Sequence, residues 1–350
     1  MVKTLNIGVV GCGRIASFAH LPCYQMMQNA KVVAVMDPVK ERARSTARSF
    51  GIEKWYSDYE TMIKDDIIDA VDICSPPDFH AEQAIRAAQR GKHILCEKPI
   101  STNIEDALQL ESSIRKAGVK FMTGFTYRFH PLLQKMKEEV PEPKLLRISY
   151  SFRPSVDSTH WIYSFGESGG FIVEQAVHWF DFFRWCSGNA KSVYAKGQTN
   201  FPFQNIVALI SYQNDSLGLI NYNSNSSLPF FFLNIENSEK SAMMRMDLLP
   251  GKWGGILQVR GRSKKLTTYF LYGRKMKRNR RKALFPLSLI LSKVRDSHSI
   301  PFFNEIKHFV DSVQNDTPPA VSFQDGLEAL KLAIATNKSI DQQKEIIFKK

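Results

Sequence analysis

Short apolar runs alternate with longer amphipathic stretches through the first third of the chain. Residues 5–10, 31–36, 70–74, 93–96 and 120–123 are continuous or nearly continuous apolar segments of strand length. Between them, 38–50, 59–64, 79–90 and 104–117 carry apolar positions at helical spacing, and Gly91 supplies a C-terminal stop for the third of these. Repeated strand–helix units of this length predict a doubly wound parallel sheet, with a first domain over 1–123. After Gly124 the periodicity changes. A helix over 132–139 and a strand over 145–152 open a second α/β domain, 124–350, and a chain of 350 residues is long enough for two cores.

The first predicted strand runs into Gly11-Cys12-Gly13-Arg14-Ile15-Ala16, a G-x-G-x-x-A turn with a helical pattern behind it. Gly11 permits the tight turn, Gly13 lets main chain approach a pyrophosphate, and Ala16 keeps the helix close to the sheet. The second strand ends at Asp37, 21 residues past Ala16, where a carboxylate accepts hydrogen bonds from an adenosine ribose. Pro38 and Val39 follow it, which favours NAD, while Lys40, Arg42 and Arg44 nearby keep NADP compatible.

Two further constellations carry chemistry. Strand 93–96 ends in Glu97-Lys98-Pro99, and ligands of open α/β sheets sit at the carboxyl ends of strands. A lysine there, between a carboxylate and a proline, suits proton transfer, although a surface lysine at a strand end is the plain alternative. Farther on, Glu174, His178 and Asp181 recur at i, i+4 and i+7 among apolar residues, which places them on one face of a largely buried helix. Buried polar groups need partners, so these three must meet one another, a ligand, or both. No second histidine stands at metal-ligand spacing, and no metal is expected.

Composition narrows the class. At 43% hydrophobic and 23% charged residues the chain is ordinary globular material, and no apolar run approaches the ~20 residues of a spanning helix. Five scattered cysteines without a C-x-x-C pair, and a start lacking a signal-peptide pattern, predict reduced thiols in a cytoplasmic protein. The net charge of +13 is concentrated: 259–297 holds thirteen Lys or Arg against one acid. A solvated loop, an anionic sugar or an acidic membrane surface each accounts for this stretch. No nucleic-acid module surrounds it. Within it, seven of the nine residues 274–282 are basic, and Leu287, Ile290, Leu291 and Val294 follow at helical spacing, a pattern also found at membrane surfaces. Packing of that apolar face on the second domain's sheet is the competing expectation.

Taken together, these motifs resemble the glucose-fructose oxidoreductase, inositol dehydrogenase and rhizopine-catabolism (Gfo/Idh/MocA) family over essentially the full length. The resemblance rests on 11–16, on Ser75-Pro76-Pro77 with His80, and on Gly91-Lys92-His93 with Glu97-Lys98-Pro99. It also rests on Gly124-Phe125 with Tyr127-Arg128-Phe129, on Gly169-Gly170 through Asp181, and on Asp325-Gly326-Leu327 in the tail. It implies a Rossmann domain followed by an α/β domain with a large open, mostly antiparallel sheet, and a homo-oligomer (dimer or tetramer). It implies cofactor contacts from Gly11, Gly13, Arg14, Ile15, Ala16, Asp37, Ser75, Pro76, His80, Glu97 and Lys98, and substrate contacts from Tyr127, Arg128, Glu174, His178 and Asp181. The implied catalytic group is Lys98, Glu174 and His178, acting on a secondary hydroxyl of a sugar, polyol or phospho- or nucleotide-linked sugar. His178 suits the base role, since an ordinary imidazole titrates near ~6.5. Lys98 would steady the developing alkoxide and Glu174 a neighbouring hydroxyl; which of Lys98 and His178 takes the proton stays open. The family's usual Asp-x-Gly-x-His is here Glu174 and Ala176 before His178, a departure that bears on the substrate. A non-catalytic NAD-binding regulator of the same fold is the alternative, and such a protein would be free to lose Lys98 or His178.

Overall fold

The structure, a computed structural model, describes residues 4–151, 160–198, 205–224, 230–247, 254–261, 266–272 and 299–349. The chain divides into two compact units. The first comprises Met1–Thr126, Ser164–Glu174 and Phe302–Leu330, and the second Tyr127–Tyr163, Gln175–Pro301 and Lys331–Lys350. The boundary expected between 123 and 124 misses the two later segments that return to the first unit. An amphipathic helix shows the same periodicity whichever core covers it, so sequence pattern alone does not assign it.

In the first unit, β1 (Leu5–Val10), β2 (Ala30–Met36), β3 (Lys54–Tyr56), β4 (Ala70–Ile73), β5 (His93–Glu97) and β6 (Phe121–Gly124) form one sheet in the order β3-β2-β1-β4-β5-β6. Every pairing is parallel, as the repeated strand–helix pattern predicts. The edge strand β3 was not foreseen, because Lys54 and Trp55 are exposed and leave no apolar run. Helices are capped locally. Asp58 accepts from Thr61 N at 2.7 Å ahead of Tyr59–Ile63, and Asn103 accepts from Asp106 N at 2.8 Å ahead of Ile104–Ala117, which Gly118 ends at φ 67°.

The strand order reverses between β1 and β4, the place where such sheets bind ligands. Gly11 follows β1 there with φ +88°, and a Cβ on it would lie 2.8 Å from Ser75 N. Both the left-handed backbone and the close approach of the β4 loop therefore require glycine.

The second unit is a nine-stranded sheet. Its strands are β7 (Leu145–Ser151), β8 (Ala190–Gln198), β9 (Asn205–Tyr212), β10 (Leu217–Asn223), β11 (Phe230–Glu236), β12 (Lys240–Asp247), β13 (Gly254–Gly261), β14 (Leu266–Tyr272) and β15 (Ile346–Ile347). They lie in the order β14-β13-β12-β11-β7-β10-β9-β8-β15. Only β7 and β10 run parallel; the other neighbours are antiparallel. One face is covered by the helix Val177–Ser187, whose Phe183 lies so near Gly218 that a Cβ there would be 2.9 Å from the ring. Trp179 of the same helix meets Phe231 at 5.0 Å between ring centroids. Along β9, buried Ile206, Ala208 and Ile210 alternate with Val207 and Leu209, which are exposed among the described residues.

Among the described residues no helix is long and apolar enough to cross a membrane. The basic run 274–282 and the amphipathic positions Leu287, Ile290, Leu291 and Val294 lie outside the described residues.

Candidate active site

The Gly-rich turn is built as its residue types demand. A Cβ on Gly13 would meet no protein atom within 4 Å, so that flank of the turn is open to a ligand's phosphates. Ala16 is fully buried against the sheet, while Arg14 is exposed and Ile15 half-buried at the start of the helix. Asp37 is buried at the end of β2 and organises this corner: its carboxylate accepts from Cys12 N at 3.0 Å and from Val39 N at 2.9 Å. The half-exposed Arg42 guanidinium leans on the same carboxylate at 3.3 Å. A carboxylate has about four lone-pair sites, so three contacts leave room for one ribose hydroxyl, or two if Arg42 swings away.

At the carboxyl end of β5 the Glu97-Lys98-Pro99 turn is held from below. His80, expected among the cofactor contacts, is instead buried between two loops, with Nδ1 2.7 Å from the Pro99 carbonyl and Nε2 2.8 Å from the Ser75 carbonyl. It ties the Ser75-Pro76-Pro77 loop to the Lys98 turn. Burial pushes its imidazole below the ordinary histidine range, against the pull of the two carbonyls. The Ser75 hydroxyl donates to Gln83 Oε1 at 2.6 Å, which pins the loop further. Glu97 is also buried, with one carboxylate oxygen 3.0 Å from His20 Nε2 and the other accepting from Lys98 N at 3.2 Å.

Lys98 meets Glu174, a partner that the spacing of Glu174, His178 and Asp181 did not name. Its ammonium donates to Glu174 Oε1 at 2.8 Å and to the Glu174 carbonyl at 2.7 Å, with the two side chains 11% and 7% exposed. A lysine has three donors, and two are fixed in this way. Glu174 sits in a π-turn over Ile172–Ala176, ahead of the regular helix Val177–Ser187. That wider turn breaks the uniform α spacing from which Glu174, His178 and Asp181 were expected to share one face.

In the second unit, His178 stacks on Tyr127, with ring centroids 4.5 Å apart and planes inclined by 28°. Trp179 packs against the same tyrosine ring at 4.5 Å. Arg128 and Asp181, both expected to contact substrate, are joined to each other: Arg128 Nε and Nη2 donate to the two Asp181 oxygens at 2.8 and 2.5 Å. Both side chains are buried, at 7% and 1% exposure. The fork-to-fork geometry makes this an internal brace of the second unit. Burial pushes the Asp181 carboxyl above the ordinary range, and Arg128 pulls it back.

Three residues absent from the sequence reading complete the floor of the first unit. His20, at the end of a π-turn over Ala16–His20, lies 2.8 Å from Asp72 and 3.0 Å from Glu97. Glu305, fully buried on the helix Ser299–Gln314, accepts from Thr126 Oγ1 at 2.9 Å. The available signal was an acid inside the apolar strand β4 and another inside an apolar helix, each a buried charge that needs a partner.

Comparison with known proteins finds matches along the chain. Residues 5–125 match the family model described as oxidoreductase family, NAD-binding Rossmann fold, and residues 137–236 match the GFO/IDH/MocA C-terminal domain. A myo-inositol 2-dehydrogenase of Thermotoga maritima is 30% identical, covering 98% of this chain and 98% of its own. A scyllo-inositol 2-dehydrogenase (NAD(+)) of Bacillus subtilis is 31% identical over 58% of this chain and 60% of its own. A crystal structure of a probable dehydrogenase from Thermotoga maritima superposes with a TM-score of 0.77 at 25% identity, covering 98% of both chains.

The Arg128–Asp181 brace makes a direct prediction. Asp181→Asn leaves a buried guanidinium without its counter-charge, so the urea midpoint should fall by the equivalent of roughly 3–5 kcal/mol. A midpoint unchanged from wild type would show that the pair does not brace this unit.

Proposed function

Because the chain belongs to the Gfo/Idh/MocA oxidoreductase family, we propose that it transfers hydride between a secondary hydroxyl of a cyclic polyol or sugar and NAD. The observation that carries this reading is the Lys98 ammonium at the carboxyl end of β5, gripped twice by Glu174 with one donor left over. NAD supplies the hydride acceptor when bound. The open flank at Gly13 and the buried Asp37 fit its pyrophosphate and its ribose respectively.

The chain's own residues would do the rest. Lys98 donates its remaining N–H to the substrate oxygen and steadies negative charge as the C–H bond is broken. Glu174 fixes the direction of that donor, and its extra methylene over aspartate sets how far Lys98 is drawn. His178, stacked on Tyr127, is the residue proposed to take the hydroxyl proton, since histidine exchanges protons in the physiological range. The inositol dehydrogenases among the relatives favour a cyclic polyol, and the Glu174 and Ala176 departures from the family's usual pattern bear on which one.

The reading extends to assembly. Tyr194, Val207, Leu209 and Leu217 are exposed on one face of the second sheet, with Tyr194 paired to Leu209 across β8 and β9. An apolar row of this kind is proposed to pack on its counterpart in a second copy. Wild type should sediment as a dimer or larger, and Leu209→Glu should shift it toward monomer; a wild-type monomer would remove the proposal.

Cofactor preference follows from Asp37, which would repel a 2′-phosphate. Fluorescence titration should show NAD binding more tightly than NADP. Comparable affinities would mean that Arg42, already at the carboxylate, turns to the phosphate instead.

Turnover is read as nicotinamide absorbance with myo-inositol, scyllo-inositol and a series of aldoses. Lys98→Ala and His178→Ala should each retain NAD binding and lose turnover by about 10²-fold or more. Near wild-type turnover in either variant would remove that residue's role. NAD binding without turnover on any member of the series would favour the regulator.

A further inference from the structure

The chemistry just proposed does not use His20, yet His20 is the centre of the most heavily charged buried cluster in the first unit. The first helix supplies His20, β4 supplies Asp72, β5 supplies Glu97 and the helix Ser299–Gln314 supplies Glu305, all buried. His20 Nδ1 lies 2.8 Å from Asp72 Oδ2, and Nε2 lies 3.0 Å from Glu97 Oε1. A ring with a carboxylate oxygen on each nitrogen satisfies both only by donating from both, as the imidazolium. Burial alone would push His20 down, but the Asp72 carboxylate outweighs it and holds the ring well above the ordinary range. Burial works against Glu97 as well, and the His20 hydrogen bond overcomes it, leaving Glu97 below the ordinary range.

The remaining neighbours take no charge from this chain. Burial and then the Glu97 charge push the Glu305 carboxyl well up, so it stays neutral. Cys23, Cys74 and Tyr24 are likewise held protonated by burial. Acidic and basic residues therefore alternate through the fold, from Asp72 through His20, Glu97 and Lys98 to Glu174. The His20, Asp72 and Cys74 ligand atoms lie within 4.8 Å of one another, but a cation there would have to break the 2.8 Å His20–Asp72 hydrogen bond.

Two uses of such a chain are open, a proton path and an anchor. A path needs an exit to water. Asp72, His20 and Glu305 are fully sealed, so a proton travelling inward from Glu97 would meet a dead end. An anchor needs only a rigid last link, and that link is present: the second Glu97 oxygen accepts from Lys98 N at 3.2 Å. We propose that His20 and Asp72 are positioning residues for Lys98, acting through Glu97 to fix the main chain from which the Lys98 side chain reaches Glu174. This rests on the reading of Lys98 as a catalytic residue for its purpose, but not for its geometry.

The test reads Lys98 without substrate or cofactor. Lysines are trace-labelled with acetic anhydride at one pH, and each site's rate is measured by peptide mass spectrometry in wild type, His20→Gln, Asp72→Asn, Glu97→Gln and the His20→Gln/Glu97→Gln double variant. Lys92 is the internal control for general loosening, because its buried ammonium donates to the Ile68 and Asp65 carbonyls at 2.7 and 3.2 Å. Labelling of Lys98 should rise by between about 2- and 100-fold in each single variant, the span for residues sharing one ionic network. Lys92 should be unchanged, and the double variant should exceed neither single. Asp72→Asn, nearly isosteric, carries the same comparison if His20→Gln does not fold. An unchanged Lys98, a Lys98 that rises in step with Lys92, or single effects that multiply in the double variant would overturn the proposal. If Lys98→Ala lost turnover while Lys98 labelling stayed at the wild-type rate in His20→Gln, the dehydrogenase would stand and the anchor would fall. If no turnover were found and the labelling pattern held, the reverse would be true.

Discussion

An ammonium nearly sealed from water is tolerable only beside a carboxylate, and a sealed carboxylate only beside a cation or a proton. That constraint runs through the first unit from Asp72 to Glu174. Lys98 lies at the strand end where the sheet presents its ligands, and Glu174 and Glu97 flank it. His20 in turn answers Glu97 and Asp72. Each member makes its neighbour affordable, and Glu305 adds bulk without adding charge. The position of Lys98 therefore rests on side chains that are themselves buried.

The second unit solves a similar problem differently. Among the described residues its buried charges are the Arg128–Asp181 pair in fork geometry, with aromatic rings on the same helix. Tyr127 carries His178 on one contact and Trp179 on another, so the proposed base is oriented by stacking while the ammonium in the first unit is oriented by charge. Stacking orients a ring through its face, and an ion pair fixes a donor's direction.

The strands β1, β2, β4, β5 and β6 were legible because a parallel sheet buries both faces and writes itself as unbroken apolar runs. Gly11, Gly13, Asp37 and Lys98 were legible because glycine turns and strand-end charges are local signals. His20 was not, since its partners lie 52 and 77 residues away and nothing near it in the chain announces them. The contacts of His80 and Glu97 with the protein itself were not legible either, because motif membership does not say which way a side chain points. Arg128 and Asp181 belong to the same class: 53 residues apart, they read as two site residues and prove to be one brace. The π-turns at Ala16–His20 and Ile172–Ala176 were hidden for a different reason, since a single widened turn leaves the helical pattern nearly intact.

The returning segments of the first unit have a consequence for how the chain comes into being. Its sheet is complete once residue 124 has left the ribosome, yet Glu174 and Glu305 belong to segments that follow much later. Until then Lys98 has no Glu174 to hold it, and the floor beside His20 and Glu97 lacks the helix that supplies Glu305. The nascent sheet waits as an unfinished scaffold while the nine-stranded unit is threaded between its first and last pieces. Completion of the first unit is thus tied to synthesis past residue 305, so a chain ended earlier keeps its six strands without the buried Glu305.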